Sequence, residues 1–194
     1  ATQITVETRQ GGVSFIRIID NGSGIPSDEV ELAFGRHATS KLSNINDLES
    51  LDTLGFRGEA LPSIAAVAEV EMTTSVDSAT GGHFIQLKNG KVTAHTGQAR
   101  PRGTTVTVRN LFRNVPARLK FLKSTATENS HVAQVVSQYA LAFPEVKFTL
   151  LMDDRNVLQT PGTGKLIDSV IAVYGVETAQ KMVEISPPEA EWQS

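Results

Sequence analysis

The sequence has no cysteine among its 194 residues. This absence excludes a disulfide framework and any zinc site built on thiolates, and it fits a reducing compartment. Long apolar runs are missing too. No stretch approaches the ~18 apolar residues that a membrane span needs, so no contact with a membrane is predicted. The remaining composition, 40% apolar and 20% charged, is sufficient for an ordinary globular core.

Net charge is also small, at −3, so the chain as a whole has no general attraction to nucleic acid. The charges are unevenly distributed, however. Segment 20–60 holds eight acids and three bases, whereas segment 100–127 holds seven bases and no acid. A block of one sign can hold an anion. A solvated face explains the same pattern equally well.

The order of periodic segments predicts the fold class. Two alternating runs, 3–9 and 13–19, read as a hairpin, and short helices are predicted over 28–34 and 59–67. Four antiparallel strands follow, over 70–75, 83–87, 91–95 and 104–109. Helices over 117–123 and 128–142 precede a last hairpin at 147–159. Strands that neighbour in sequence are expected to be antiparallel, so we predict an α+β fold: a mixed, mainly antiparallel sheet with helices on one face.

Segment 161–164, Pro-Gly-Thr-Gly, has the composition of a linker. We therefore expect one domain over 1–162 and the start of a second over 163–194. The chain opens directly in a strand-like run and stops soon after Pro187-Pro188. On this pattern we expect it to be truncated at both ends.

The turn Asp20-Asn21-Gly22-Ser23-Gly24 is the first candidate site. Asp-Asn-Gly usually marks a hairpin, but here a helix rather than a strand is predicted to follow. A carboxylate at a strand end can accept the exocyclic amine of adenine, and glycines let a flat ring approach the backbone. Ile25 is placed to line the apolar face of such a ring.

Three further segments fit a nucleotide. Gly55-Phe56-Arg57-Gly58 precedes a helix, whose free amides and positive dipole end can bind phosphate. His37-Ala38-Thr39-Ser40-Lys41 offers hydroxyls and an ammonium in a polar loop suited to a lid. Gly103-Thr104-Thr105 opens an apolar strand and can place a hydroxyl near Asp20. Each of these is a common turn when taken singly.

Together, and in this order, the four segments resemble the GHKL ATPases, a group that includes type II topoisomerase subunits, Hsp90 and sensor histidine kinases. Four longer runs are similar to the narrower MutL family of DNA mismatch repair proteins: DNGSGI, FGRHATSK, LGFRGEALPSI and RGTTVTVRNLFRNVPARLKFL. The similarity extends from residue 1 to about residue 148. Its motifs are most specific over 20–61 and 102–123.

The resemblance implies a Bergerat-type pocket for ATP. Asp20 would hold the adenine amine, lid residues and the helix start would hold the phosphates, and Glu59 would be a cap or lid contact rather than a base. The ATP-binding residues that it implies are Asp20, Gly22, Gly24, Ile25, Thr39, Ser40, Lys41, Gly55, Phe56, Arg57, Gly58, Glu59, Ala60, Leu61 and Thr104.

The resemblance also implies residues for which this sequence has no match. In the family, a helix before the first strand carries a catalytic Glu and an Asn that binds Mg²⁺, and a lysine in the next domain, which is ribosomal S5-like, reaches the γ-phosphate. We expect these positions to lie outside Ala1–Ser194, so we assign no catalytic residue and no metal ligand here. The four histidines show no metal-ligand spacing either.

The implied function is an ATP-operated switch in mismatch repair. ATP would drive dimerisation of N-terminal domains and couple a MutS-like mismatch-recognition protein to later repair, in the cytoplasm or nucleoid of a bacterium or in a eukaryotic nucleus. Two alternatives stay open: a GHKL domain that binds nucleotide or a partner without hydrolysis, and a topoisomerase-type subunit. The basic stretch, residues 100–127, has two interpretations. It faces DNA through Arg113, Arg118, Lys120 and Lys123, or it is structural, with Arg113 and Arg118 pairing with acids of segment 20–60.

Overall fold

A computed structural model describes residues 1–35, 58–79, 81–183 and 185. Eight strands form one sheet in the order β5-β4-β3-β6-β2-β1-β7-β8. All neighbours are antiparallel except β1 and β7, which are parallel. The α+β class and the mainly antiparallel sheet are confirmed. The strands are β1 (Gln3–Arg9), β2 (Phe15–Asp20), β3 (Glu69–Asp77), β4 (Gly81–Lys88), β5 (Lys91–Gly97), β6 (Gly103–Arg109), β7 (Lys147–Met152) and β8 (Arg155–Gln159).

The described α-helices are α1 (Ala60–Val67), α2 (Pro116–Leu119), α3 (Thr125–Ala142), α4 (Leu166–Tyr174) and α5 (Val176–Ala179). The predicted helix over 117–123 is much shorter in the structure. The predicted helix over 28–34 is wrong as an α-helix: a series of turns leads into a 3-10 turn, Leu32–Phe34. Val30 is fully buried there and Phe34 packs against the same core cluster, but a segment of seven residues needs more support along one face to form a stable helix.

One face of the sheet carries two core clusters. Alternate residues of the central strands, such as Val70 and Met72, pack with Ala65 of α1 in the first cluster. Leu150 of β7 packs with Val136 and Ala140 of α3 in the second. The apolar residues of α3 do not all face the sheet. Val135 and Tyr139 are 49% and 43% exposed, whereas the side chains at i, i+4 and i+8 from Val132 face the sheet.

The carboxyl end of α1 is held by its neighbours. The amide of Gly90 donates to the Ala65 carbonyl at 2.9 Å and that of Phe112 donates to Val67 at 2.8 Å. Asn114 Nδ2 donates to the Ala66 carbonyl at 2.8 Å. These bonds satisfy carbonyls that a helix end leaves without partners. They therefore fix the direction of α1 relative to the sheet, and with it the direction of the helix amino end.

Beyond β8, the apolar side of α4 packs on the second core cluster through Ala172 and Val173. The expected domain division at residue 162 stays a prediction. No helix in the described ranges is long and apolar enough to span a membrane.

Candidate functional site

Three neighbouring strands bring polar side chains together at one end of the sheet. Asp20 of β2 lies directly opposite Thr104 of β6, and Thr104 lies opposite Thr74 of β3. Directly paired residues project from the same face. They therefore continue the core-facing rows of Ile18 and Met72, and the apolar face of the sheet ends in a carboxylate and two hydroxyls.

Local hydrogen bonds shape the turn after Asp20. The Gly22 amide donates to Asp20 Oδ1 at 2.7 Å, the side-chain-to-backbone bond that favours Asp in tight turns. Asn21 faces the other way, because its Oδ1 accepts from the amides of Thr2 and Gln3 at 2.9 and 3.0 Å. Among the residues that the structure describes, no donor contacts Asp20 Oδ2, so this oxygen is available to an incoming donor.

Close backbone packing explains two of the glycines. Gly24 has φ +73°, and a Cβ built there would overlap the Ser75 carbonyl and lie 2.9 Å from the Val76 amide nitrogen. Gly103 has φ +125°, and a Cβ there would overlap the Asp20 carbonyl. The missing side chain of Gly24 therefore makes room for β3, and its expected place beside the base stays a prediction.

Thr74 was missed by the sequence analysis. It is fully buried, and its Oγ1 accepts the Ile25 amide at 2.9 Å and lies 3.0 Å from Thr104 Oγ1. Thr74 thus joins the turn to β3 and β6. A threonine in an alternating strand is an ordinary β-former, and no local pattern marks it. Only the strand pairing reveals it.

Ile18 was also missed. It lies on β2, a central strand, two residues before Asp20 on the core-facing side, yet it is 43% exposed. Central strands normally bury such residues. Ile25, by contrast, packs against the first core cluster. The exposed part of Ile18 gives the Asp20 end an apolar floor that no described residue covers.

Arg100 braces the same strands from the opposite face of the sheet. Its Nη1 donates to the Thr73 carbonyl and, at 3.2 Å, to Thr105 Oγ1. Burial lowers the pKa of Arg100, and the negative charge of Asp20 opposes that shift. A cation therefore lies close enough to Asp20 to interact with its carboxylate through the sheet.

The amino end of α1 is the expected phosphate site. Gly58 has φ +61°, a conformation that favours glycine. Glu59 is the N-cap residue, but its side chain makes no capping hydrogen bond. The first hydrogen bond of the helix runs from the Ser63 amide to the Glu59 carbonyl at 3.0 Å. Amides of the first turn, including those of Ala60 and Leu61, therefore have no partner within the helix.

The remaining expected site residues belong to two other segments. Thr39, Ser40 and Lys41 of the lid segment, and Gly55, Phe56 and Arg57 before α1, lie outside the described residues. Their assignment stays a prediction. The described parts of the site are nevertheless linked, because Ile25 and α1 residue Ile64 pack against one core cluster.

The basic stretch divides into two kinds of residue. Arg113 pairs with Glu69 of β3, and the Arg118 guanidinium lies 5.7 Å from the centre of the Phe112 ring. Asp47, Glu49 and Asp52 of segment 20–60 lie outside the described residues, so the expected pairing of Arg113 and Arg118 with acids of that segment stays a prediction. Lys120 and Lys123 are exposed, and their side chains form no ion pair with a described residue.

Two surface depressions lie elsewhere on the described part of the chain. One is lined by Glu69, Lys88 and Asn114, and the other by Glu7, Phe15 and Arg17. Arg17 pairs with Glu7, so the charges there largely satisfy one another. Across the described ranges, no three His, Cys, Asp or Glu side chains come together as a metal site.

Comparison with known proteins shows close relatives. The chain is 50% identical over 186 residues to DNA mismatch repair protein MutL of Shouchella clausii and 48% identical over 185 residues to MutL of Halothermothrix orenii. These matches cover 96% and 95% of the chain but only 28% and 29% of the relatives. The chain thus spans less than a third of the length of these curated relatives. No family model matches it.

Solved structures similar to this chain are also domains of DNA repair proteins. The Aquifex aeolicus MutL ATPase domain complexed with ADP is 31% identical, with a TM-score of 0.69 over 90% of this chain and 61% of that one. The N-terminal domain of a DNA repair protein is 28% identical, with a TM-score of 0.75 over 90% of this chain and 52% of that one. Both are domains of DNA repair proteins, and each is longer than the part that this chain matches.

Proposed function

Because the chain belongs to the MutL family of DNA mismatch repair proteins, we propose that the Asp20 end of its sheet binds the adenine of ATP or ADP. One observation carries this proposal. Asp20 Oδ2, which no described donor contacts, lies beside the exposed side chain of Ile18 on a central strand. An apolar floor next to an anionic acceptor suits a flat ring with an exocyclic amine.

The proposed roles follow from the contacts. Asp20 accepts the adenine amine, while Gly22 fixes the carboxylate by donating to its other oxygen. Thr104 presents a hydroxyl beside Asp20. Gly24 and Ile25 hold the turn against β3 and α1, so they shape the adenine end through backbone position. In this proposal Ile18 contributes the surface on which the ring rests.

The phosphates are proposed to lie at the amino end of α1. Gly58, Ala60 and Leu61 supply backbone amides at the positive end of the helix, and Glu59 lies at the N-cap. Gly55, Phe56 and Arg57 would extend this cradle, with Thr39, Ser40 and Lys41 as lid contacts. These six residues are assigned by their match to the family motifs alone. Mg²⁺ would accompany the phosphates, but the described residues offer no donor set that fits a metal.

We propose a switch as the function of the whole protein. ATP binding would favour a closed lid and the pairing of two N-terminal domains, either identical or different, and hydrolysis would release them. This cycle would couple a MutS-like mismatch-recognition protein to downstream repair on DNA in the cytoplasm or nucleoid, or in the nucleus of a eukaryote.

For the 194-residue chain itself we propose binding without appreciable turnover. Its sequence has no match to the family's Glu and Asn helix, and loss of positioned acid–base chemistry typically costs about 10²–10⁴-fold in rate. Isothermal titration calorimetry of the chain with ADP should show one site with at least about 10-fold preference over GDP. ATP turnover should be at least roughly 100-fold slower than that of a full-length MutL assayed in parallel.

The ADP titration and the ATP turnover assay test separate claims. No heat of ADP binding at high protein concentration contradicts the adenine site. A turnover rate equal to that of the full-length protein, which survives a change of purification method, shows that the chain carries its own catalytic groups.

The exposed part of the basic stretch is proposed to face DNA. Lys120 and Lys123 are exposed and make no ion pair with a described residue, and Arg118 is held on the Phe112 ring near them. Arg113 forms an ion pair with Glu69, so it is the weakest of the four candidates for DNA contact. Lysines of this kind bind the phosphate backbone without regard to sequence.

Lys120→Glu is expected to weaken DNA binding roughly 5-fold at low salt and to lower the slope of log affinity against log salt by about 1, because one phosphate contact is lost. Fluorescence anisotropy with two duplexes of unrelated sequence measures both quantities. The matched control is Lys91→Glu, which makes the same charge change on edge strand β5. Equal effects of the two variants would mean that only net charge matters, and the stretch would then be a solvated face.

A further inference from the structure

The buried Thr74 hydroxyl lies where three separate parts of the site meet. Its Oγ1 accepts the Ile25 amide at 2.9 Å, lies 3.0 Å from Thr104 Oγ1, and lies 3.3 Å from the Gly103 carbonyl oxygen. A hydroxyl has one proton and two lone pairs. Since one lone pair is taken by Ile25, the proton has two candidate acceptors: the Thr104 hydroxyl and the Gly103 carbonyl.

The choice of acceptor decides what Thr104 offers to a ligand. If Thr74 donates to Thr104, the Thr104 proton stays available for a bond outside the protein. If Thr74 donates to Gly103, Thr104 must donate back to Thr74. The 3.3 Å between Thr74 Oγ1 and the Gly103 oxygen is longer than an ordinary O–H···O bond, whereas the 3.0 Å to Thr104 Oγ1 is not, which favours donation from Thr74 to Thr104. Thr104 then presents a donor beside the Asp20 carboxylate, which is an acceptor.

An acceptor beside a donor matches the edge of adenine. Adenine carries a donor amine next to a ring nitrogen that accepts, whereas guanine carries a carbonyl acceptor next to a ring N–H donor. A site with the wrong pattern leaves buried polar groups unpaired, which is a strong source of discrimination. We propose that Thr74 is a positioning residue that sets this preference: its hydroxyl fixes the Gly22–Ile25 turn and orients the Thr104 hydroxyl. This inference rests on the proposed adenine site.

The frame around Thr74 is built to hold such an arrangement. Gly24 packs on the Ser75 backbone, one residue from Thr74. On the opposite face, Arg100 bonds the Thr73 carbonyl and Thr105 Oγ1, the residues that neighbour Thr74 and Thr104 in sequence. The two strands are therefore fixed from both sides, and Thr74 has little freedom to find other partners.

The test compares Thr74→Val with Thr74→Ser by titration of the 194-residue chain with ADP and with GDP. Valine keeps the shape but removes the hydroxyl. We expect ADP affinity to fall about 10-fold and the preference for ADP over GDP to shrink by a similar factor, because the Thr104 hydroxyl loses its orientation. Serine keeps the hydroxyl and should retain the preference of the wild type.

Thr160→Val is the matched control. Thr160 is also fully buried and its Oγ1 accepts a backbone amide, that of Phe148, at 3.0 Å. It follows β8, at the sheet edge farthest from β5, and four strands lie between β8 and β3. Thr160→Val should lower the melting temperature as Thr74→Val does, but it should leave the ADP to GDP ratio unchanged. If Thr74→Val does not fold, Thr74→Cys takes its place, since a thiol is only a weak donor and acceptor.

Each outcome is decisive. A lower ADP to GDP ratio in Thr74→Val or Thr74→Cys, together with a normal ratio in Thr74→Ser and Thr160→Val, supports the positioning role. An unchanged ratio in the Thr74 variants overturns it, as does an equal change in Thr160→Val. Failure of the wild-type chain to bind ADP contradicts the proposed site itself, and is recognised before any variant is measured.

Discussion

Asp20→Asn is expected to weaken ADP binding to this chain by about 100-fold or more. Hydrogen bonds to a charged group are worth roughly 1.5–3 kcal/mol, and a misplaced donor adds the cost of an unpaired buried group. In wild type, Oδ1 already accepts the Gly22 amide at 2.7 Å, which leaves Oδ2 for the adenine amine. Asparagine can keep the bond to Gly22 only by turning its own NH₂ toward the ligand, where donor would face donor.

Asp154→Asn is the control for this change. Asp154 lies at the tip of the β7–β8 hairpin, is 78% exposed at its side chain, and pairs with Arg9. The substitution removes the same charge but should leave ADP affinity within about 2-fold of wild type, because surface ion pairs contribute little. Calorimetry on the three proteins gives the comparison. Normal ADP binding by Asp20→Asn would show that the adenine site lies elsewhere.

Gly24→Ala is expected to have the largest effect on stability. A Cβ at this position overlaps the Ser75 carbonyl, and the backbone has φ +73°. Overpacking costs about 1–3 kcal/mol and a left-handed conformation about 1–3 kcal/mol more. We therefore expect the free energy of unfolding to fall by about 4 kcal/mol, a large part of the 5–15 kcal/mol that domains usually possess. Urea titration followed by circular dichroism measures this loss.

Gly164→Ala separates the two contributions. Gly164 has φ +80°, and nothing lies within 4 Å of a Cβ built there. Its cost should therefore be backbone strain alone, about 1–2 kcal/mol. If Gly24→Ala lost no more stability than Gly164→Ala, the turn after Asp20 would not be packed on β3, and the arrangement of Asp20, Thr104 and Thr74 would be wrong with it.

Local sequence patterns predicted most of the regular structure. The strands show two-residue alternation or lie between strong turn signals, and each forms within a few residues of its expected bounds. Helix α1 begins where Gly58 ends the preceding segment, as glycine and helix-start signals predict. The segment 28–34 failed for a physical reason. A helix of seven residues needs tertiary support along one face, and only Val30 is deeply buried there.

The motifs predicted which residues are neighbours more readily than the contacts that each one makes. Asp20 and Thr104 were expected to meet, and the strand register places them side by side. Gly24 was expected for a different reason from the one the structure shows. Thr74 and Ile18 carry no local signal, because their importance comes from strand pairing and from what fails to cover them. Neither property is present in a single stretch of sequence.

The sequence by itself determined the class of fold, the family and the acidic end of one strand. These depend on alternation, on glycine at fixed offsets and on motifs read along the chain. The tertiary structure alone decided that Thr74 joins the turn to Thr104, that Arg113 is committed to Glu69 while Lys120 is not, and that Ile18 is exposed. Hydrogen bonds and burial arise between residues far apart in the chain, so the packing of strands has to be known before their partners can be named.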